Sequence, residues 1–524
     1  MFDVIIVGSG PAAAAAALEL KGTNICVLDI GYRGKTRSTP NDSPYQIKES
    51  SEDTSALLLG EKFESLHNIS KSYLSPKLKS PAMSFVTQSL GKHYPHHENV
   101  FDMQLSCAKG GLANAWGAGL FRYSEKDLTD FPIKKEDLDL FYDKLTEHIG
   151  ISGQEDDLSP FFGSTHSLQA PLRLNYEGAS FLKSYQSKKK KINKMGVYIG
   201  HPRLGVLTED KDGRPAYDYR GMEFFEANKG SIYNPCHTIE QLEKSGDLQY
   251  FPNKEVLLYE ERENETRVLC NNLKSGEVEE FFTKRLILAA GAVGTAKIVL
   301  NSKSAFSRKL PLLDNKISYI PLFSPFNVGR GQEERIFSGA QLSVVYRGEL
   351  SPCDLQASFY GLSGTLRSDF LMNFPFSMRA NMAASKYSSP AMTVIQLFYP
   401  DRPRNENYLQ LKEDRSIELR YQTRDEADLE SVFAKAANHL GCFTHSSLWQ
   451  FPNPGNSFHY AGMLPMSKEP KTEFECGLDG KLNKSKSVYV ADAASFPVLP
   501  SKNHSFTIMA NSMRIAHGLR AGLS

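Results

Sequence analysis

Val4-Ile5-Ile6-Val7-Gly8-Ser9-Gly10-Pro11-Ala12-Ala13 decides the fold of this chain, together with the alanine-rich run to Leu20 and Ile25-Cys26-Val27-Leu28-Asp29 behind it. Val4–Val7 is a continuous β-branched run, the pattern of a parallel strand buried on both faces. The alanines that follow favour helix. Ile25–Leu28 reads as a second buried strand, so the stretch opens a βαβ unit. Gly8-x-Gly10-x-x-Ala13 at its first turn is a dinucleotide fingerprint. Gly8 allows the tight turn, Gly10 lets a pyrophosphate approach the backbone, and Ala13 allows close helix–strand packing. Ser9 and Ala12 complete the turn, and phosphates would sit on the free N–H groups of the helix start. Asp29 lies 21 residues after Gly8. It can accept from a ribose hydroxyl and would repel a 2′-phosphate, which disfavours NADP. Between FAD and NAD, one fingerprint in a long chain favours FAD.

Outward from this unit the chain alternates in character. Residues 31–100 are rich in Ser, Pro, Lys and Asn, with one short helix expected over Ala56–Asn68. Residues 134–148 read as an amphipathic helix. Val256–Glu260, Thr266–Asn271 and Glu277–Phe282 read as a β-meander, and Leu286–Ala290 as a further buried strand running into Gly291 and a helix over Thr295–Leu300. Gln341–Tyr346, Leu355–Phe359, Thr393–Tyr399, Tyr408–Lys412 and Ile417–Tyr421 read as one antiparallel sheet. A helix over Glu426–Leu440 follows, with Gly441 as its C-terminal stop. Val488–Asp492 is a buried strand, and Ser505–Leu519 a final helix with Asn503 or Ser505 as its cap. The expected class is α/β (α+β overall): a doubly wound Rossmann-like domain with a β-meander, plus an antiparallel-sheet substrate domain. Residues 1–148, 226–320 and 452–524 are assigned to the first, 149–225 and 321–451 to the second.

Composition excludes several functions. Across 524 residues, 61 Lys and Arg balance 60 Asp and Glu, which argues against a general nucleic-acid surface. The six lysines between Lys183 and Lys194 read as a solvated face. There is no apolar run long enough for a membrane span and no secretory or twin-Arg signal. Seven dispersed cysteines without a CxxC pair make a poor disulfide framework and a poor zinc site, so a reduced, cytoplasmic protein is expected. His93, His96, His97 and Glu98 sit in a Pro-containing polar loop without further ligands, and no metal is expected.

Four segments resemble the glucose–methanol–choline (GMC) family of FAD-dependent oxidoreductases. They are the fingerprint itself, Gly110-Gly111-Leu112-Ala113-Asn114-Ala115-Trp116-Gly117, the stretch Leu286–Leu300, and the C-terminal run from Phe458-His459-Tyr460-Ala461-Gly462 through Asp492 to Pro500, Asn503, His504 and Thr507. The Trp-Gly loop is similar to that of pyranose oxidases and related bacterial sugar oxidoreductases. The chain also departs from the family pattern. Asp29 is the less common acidic residue at its position, and Met463 stands where the family's H-x-x-G-T has Thr. Ala115 replaces the His that tethers FAD in pyranose oxidases, so non-covalent FAD is expected.

The resemblance implies an FAD-dependent oxidoreductase that oxidises an alcohol, a sugar or glycoside hydroxyl on the strength of the Trp-Gly loop. A hydride passes to flavin N5 while His459 serves as base. Asn503 is preferred as the second polar group, with His504 kept beside it. Gly110, Gly111, Asn114, Trp116, Val256, Ala290, Gly291, Asp492, Ala493, Asn503 and Thr507 join Gly8, Ser9, Gly10, Ala12, Ala13 and Asp29 as expected FAD contacts. The expected partners are the small-molecule substrate and an electron acceptor that is oxygen, a quinone or a carrier. A bulky alcohol such as a sterol, a redox-neutral reaction and a non-catalytic FAD-binding role are the competing readings.

Overall fold

The structure is a computed structural model that describes residues 1–34, 60, 76–96, 101–163, 167–221, 230–330, 335–362, 377–424 and 428–523. The helix expected over Ala56–Asn68 lies outside the described residues.

The first strand, Phe2–Val7, pairs in parallel with Ile25–Leu28 on one side and with the C-terminal half of Val278–Leu288 on the other. Gln249–Phe251 extends the sheet beyond Ile25–Leu28, and Val488–Val490 pairs in parallel with Leu286–Leu288. Alternate side chains enter two separate cores. Val4, Ile6, Ile25, Val27 and Ile287 pack under the helices Pro11–Glu19, Pro235–Lys244 and Ser505–Ala521. Ile5, Val7, Cys26, Leu28, Leu286 and Leu288 face the helix Ala292–Ser302 and the meander. All eleven of these side chains are buried, as a sheet covered on both faces requires. Ser512 Oγ donates to the Ala12 carbonyl at 2.7 Å, tying the last helix to the first.

Glu277–Phe282 and Leu286–Ala290 are not two strands but parts of one, Val278–Leu288. Its first half is antiparallel to Thr266–Asn272, which pairs with Lys254–Glu261, and its second half is parallel to Phe2–Val7. The charged residues between the two halves merely mark where its neighbours change. The turn before it places Gly276 at φ 78°.

A second sheet of five antiparallel strands has the order Ile317–Phe323, Met392–Phe398, Leu355–Gly361, Leu342–Tyr346, Val197–Gly200. Ile317–Phe323 crosses position 320 and contains Pro321, which suits its place at the sheet edge. The expected single antiparallel sheet is corrected here: Tyr408–Leu411 and Ile417–Arg420 form a separate three-stranded sheet with Lys309–Pro311. The helix Leu429–His439 packs on the five-stranded sheet through Leu429, Phe433, Ala436 and Ala437. It ends in paired 6→1 and 5→2 hydrogen bonds, Cys442 N to Ala437 O and Gly441 N to Asn438 O, with Gly441 at φ 88°. The lysine-rich segment lies on the helix Tyr176–Asn193, whose positions 186–191 are exposed.

One polar contact fixes the approach to the final helix. Lys502, 0 % exposed, donates to the equally buried Asp127 and, at 2.7 Å, to the Phe161 carbonyl. Removing one partner strands a buried charge, which costs about 3–5 kcal/mol. Asp127→Ala should therefore lower the unfolding free energy measured in urea by that much, while Asp127→Leu combined with Lys502→Met should restore most of it.

Candidate active site

A cavity of about 890 Å³ runs from the Gly8–Ala12 turn to the five-stranded sheet. At its glycine-turn end the backbone is cut to close tolerances. Gly8 has φ 99°, and a Cβ there would stand 2.5 Å from the Ala289 carbonyl oxygen on the neighbouring strand end. Gly10 is the opposite case. It lines the cavity, and a Cβ on it would meet nothing within 4 Å, so the space in front of it is open. The helix Pro11–Glu19 starts at Gly10 without a side-chain cap, leaving its first N–H groups to the cavity. Asp29 accepts from Ser9 Oγ and from Tyr250 Oη at 2.9 Å. Burial pushes its carboxyl up to about 6 against those two bonds.

At the other end stands His459. Gly455 N–H donates to Asp314 Oδ2 at 2.8 Å, Ser457 Oγ donates to Asp314 Oδ1, and His459 N–H donates to Ser457 Oγ at 2.9 Å. One buried carboxylate thus shapes the loop that carries the imidazole, and burial raises Asp314 to about 7. Phe458, just before His459, has φ 63°, a strained conformation for a bulky residue. The His459 ring stacks on Phe398 at 5.0 Å and 19°, meets the His504 ring edge-on at 4.5 Å, and has Nδ1 at 2.9 Å from Asn315 Oδ1. Burial and the neighbouring His504 hold it well below the ordinary histidine value. Burial alone takes His504 down to about 4. Both rings are neutral at physiological pH, and a neutral ring can accept a proton.

Asn503 completes the site. Its N–H donates to Gln356 Oε1 at 3.0 Å, and its side chain packs where a Cβ at Gly119 would be 2.9 Å from Nδ2. Among the described residues, buried Asn503 Oδ1 and His504 Nδ1 have no hydrogen-bond partner. Orphaned buried polar atoms of this kind fit a bound group that supplies donors and acceptors. The final helix starts at Ser505 with His504 as its cap residue and no side-chain cap bond, so neither Asn503 nor Ser505 plays the capping role expected of them. The reason is geometric: both side chains are drawn toward the cavity, which they line.

The cavity gathers most of the residues singled out in the sequence. Gly8, Ser9, Gly10, Ala12, Asp29, Gly111, Trp116, Val256, Ala290, Gly291, Asp492, Ala493, His459, Asn503 and His504 all line it. Four others do not. Ala13 is core under the first helix. Gly110 donates its N–H to Ser9 Oγ at 2.9 Å, and a Cβ on it would strike Asn234. Asn114 spends its amide on the Lys109 and Gly111 carbonyls and on Asn234. Thr507, 0 % exposed, shares a 2.6 Å hydrogen bond with Tyr142. These four shape the walls from behind. Asp492 accepts from Thr295 Oγ1 at 2.5 Å and from Ala494 N–H at 2.9 Å, which links the end of Val488–Val490 to the first turn of the helix Ala292–Ser302. His93 is engaged by Tyr32 Oη at 2.9 Å and faces Glu255 at 3.2 Å, whereas His97 and Glu98 lie outside the described residues.

Sequence reading missed the far wall: Tyr319, Tyr360, Thr393, Gln396, Phe398 and Gln450. Five of them lie on three strands of the five-stranded sheet and Gln450 lies on a loop, and no motif marks any of them. It also missed Asn315, whose only local sign is a short polar turn between apolar runs.

No protein-family model matches the chain, and no curated protein matches it. Among solved structures it is similar to the crystal structure of pyridoxine 4-oxidase from Mesorbium loti, with a TM-score of 0.57, 12% identity and 99% of each chain covered. At that identity the likeness is one of fold, and it extends over the whole chain.

The two glycines of the turn should separate on substitution. Gly8→Ala adds a clash to a positive-φ strain and should cost roughly 1–3 kcal/mol or more in thermal or urea unfolding. Gly10→Ala, facing open space, should cost about 1 kcal/mol or less.

Proposed function

We propose that the chain is an FAD-dependent oxidoreductase that oxidises an alcohol, with His459 as the base. The observation that carries this reading is a neutral, half-buried imidazole that lines the same cavity as the glycine turn. FAD, held non-covalently, would lie along the cavity with its pyrophosphate at Gly8–Ala12, a ribose at Asp29, its adenine beside Val256, and its ring system between Trp116 and the start of the final helix. Open Gly10 and the orphaned Asn503 and His504 atoms favour the fit. When bound, FAD supplies the hydride acceptor.

The residues of the chain supply the rest. His459 takes the hydroxyl proton as the carbinol carbon loses its hydride, leaving a carbonyl. Asn503 and His504 flank the substrate oxygen and orient it. The start of Ser505–Ala521 contributes partial positive charge at that end of the cavity. Phe398 holds the imidazole plane.

The substrate wall of Tyr319, Thr393, Gln396 and Gln450 offers neutral hydrogen-bonding groups, which favours an uncharged polyol such as a sugar or glycoside. Phe398 and Tyr360 on the same wall favour, as a second reading, an aromatic alcohol, and the fold neighbour is by name an oxidase of pyridoxine. The electron acceptor is oxygen, a quinone or a carrier.

The purified protein should be yellow and release FAD on acid precipitation. Anaerobic addition of one member of a panel of sugars, aryl alcohols and pyridoxine should bleach it. A yellow protein that no alcohol bleaches would overturn the oxidative reading, and a colourless one that takes up no FAD would overturn the cofactor. Gly10→Ala should lose FAD uptake while keeping its fold. His459→Ala should keep the colour yet bleach roughly 10²–10⁴-fold more slowly. Because the His459 value is lowered, the base stays neutral below the ordinary histidine range. The wild-type bleaching rate should hold through pH 6.5, the ordinary histidine value, and fall only in more acid solution.

A further inference from the structure

Asn315 is 0 % exposed and lies on no motif, yet it is the side chain that meets His459 Nδ1. Its orientation is not free. Nδ2 donates to the Tyr399 carbonyl at 2.6 Å and to the Pro500 carbonyl at 3.1 Å. Carbonyl oxygens accept only, so the NH₂ group must face them. Oδ1 is left pointing at the imidazole 2.9 Å away, and an amide oxygen also accepts only. The hydrogen bond then requires the proton of the neutral ring to be on Nδ1.

We propose that Asn315 is a positioning residue that fixes His459 as the Nδ1–H tautomer, leaving Nε2 as the unprotonated nitrogen that receives the substrate proton. This rests on the reading of His459 as base. The two carbonyls have separate anchors. Tyr399 follows the strand that carries Phe398, which stacks on the imidazole, and Pro500 opens the turn that carries Asn503 and His504. One amide therefore joins the base, the residue that stacks on it and the oxygen-orienting pair. No charged group is needed to hold the tautomer: the ring's other close neighbours are Phe398 and the neutral His504, and Asp314 reaches only its backbone, through Ser457. A neutral orienting partner leaves the ring's value low, whereas a carboxylate there would raise it.

The test uses full-length protein labelled with ¹⁵N-histidine, first without flavin, so that it does not depend on turnover. Two-bond ¹H–¹⁵N correlations distinguish the tautomers, and the signals lost in His459→Gln assign the residue. Wild type should show His459 as Nδ1–H with Nε2 bare. Asn315→Leu should shift it to Nε2–H or a mixture, and should slow anaerobic bleaching roughly 10²-fold at unchanged substrate affinity, near the lower end of acid–base effects. Asn315→Asp keeps an acceptor oxygen facing Nδ1 and should retain the tautomer, while its carboxylate should raise the ring's value, so that bleaching falls off at a higher pH than in wild type. An Nε2–H ring in wild type would overturn the proposal, as would an Asn315→Leu protein with an unchanged tautomer and rate. Should Asn315→Leu not fold, the wild-type spectrum and the Asn315→Asp variant decide. A protein no alcohol can bleach would refute the oxidase reading while the flavin-free spectra still judged Asn315.

Discussion

The parallel pairing of Val4–Val7 with Arg285–Leu288 is the interaction on which the rest of the molecule depends. It joins residues almost 300 positions apart and places the turn at Gly8 against the carbonyl of Ala289, so closely that only glycine fits. The next strand in the sheet, Val488–Val490, pairs beyond it and delivers Asp492 and Ala493 to the same rim. The final helix then packs on the first, and its start lines the same cavity as the Gly10 turn. Strand ends that converge on one edge of a parallel sheet leave a crevice where helix starts and backbone N–H groups collect, and the cavity occupies that crevice.

The end that carries His459 is built by different means. His459 is carried on a loop, and a loop holds a side chain only if something rigid holds the loop. Here Asp314 binds Gly455 and Ser457, and Asn315 binds the imidazole itself. Tyr460 adds a further tie, since its hydroxyl donates to the Gly455 carbonyl and accepts from Gln104 N–H. The left-handed backbone at Phe458 is tolerated because these bonds over-determine the loop. Polar groups this deeply buried are costly unless paired, so each is tied to several partners.

The same wall carries two chemical characters. Around the glycine turn the charged side chains Asp29, Lys254, Glu255 and Lys297 line the cavity, while beside the five-stranded sheet stand neutral amides, hydroxyls and aromatic rings. The division follows from the two sheets. The parallel sheet offers loops and helix ends, where charge is easily solvated or paired. The antiparallel sheet offers a pleated face whose alternate residues point one way, and a charge there would be buried without a partner.

Local residues alone determined the first βαβ unit, the glycine turn, Asp29, the meander and the terminal helix. A strand of β-branched residues, a turn that needs positive φ and an alanine-rich helix are choices each segment makes from its own sterics. The C-terminal run brought His459, Asn503 and His504 to notice, but their proximity to one another and to Gly10 needed the fold. Tertiary structure alone decided that Asn114 and Thr507 serve the scaffold rather than the cavity, that one strand runs from Val278 to Leu288, and that Tyr408–Leu411 leaves the substrate-side sheet. It alone brought Asn315 to the imidazole. A buried side chain's role is set by the partners that surround it, and those partners come from distant parts of the chain that the local pattern does not encode.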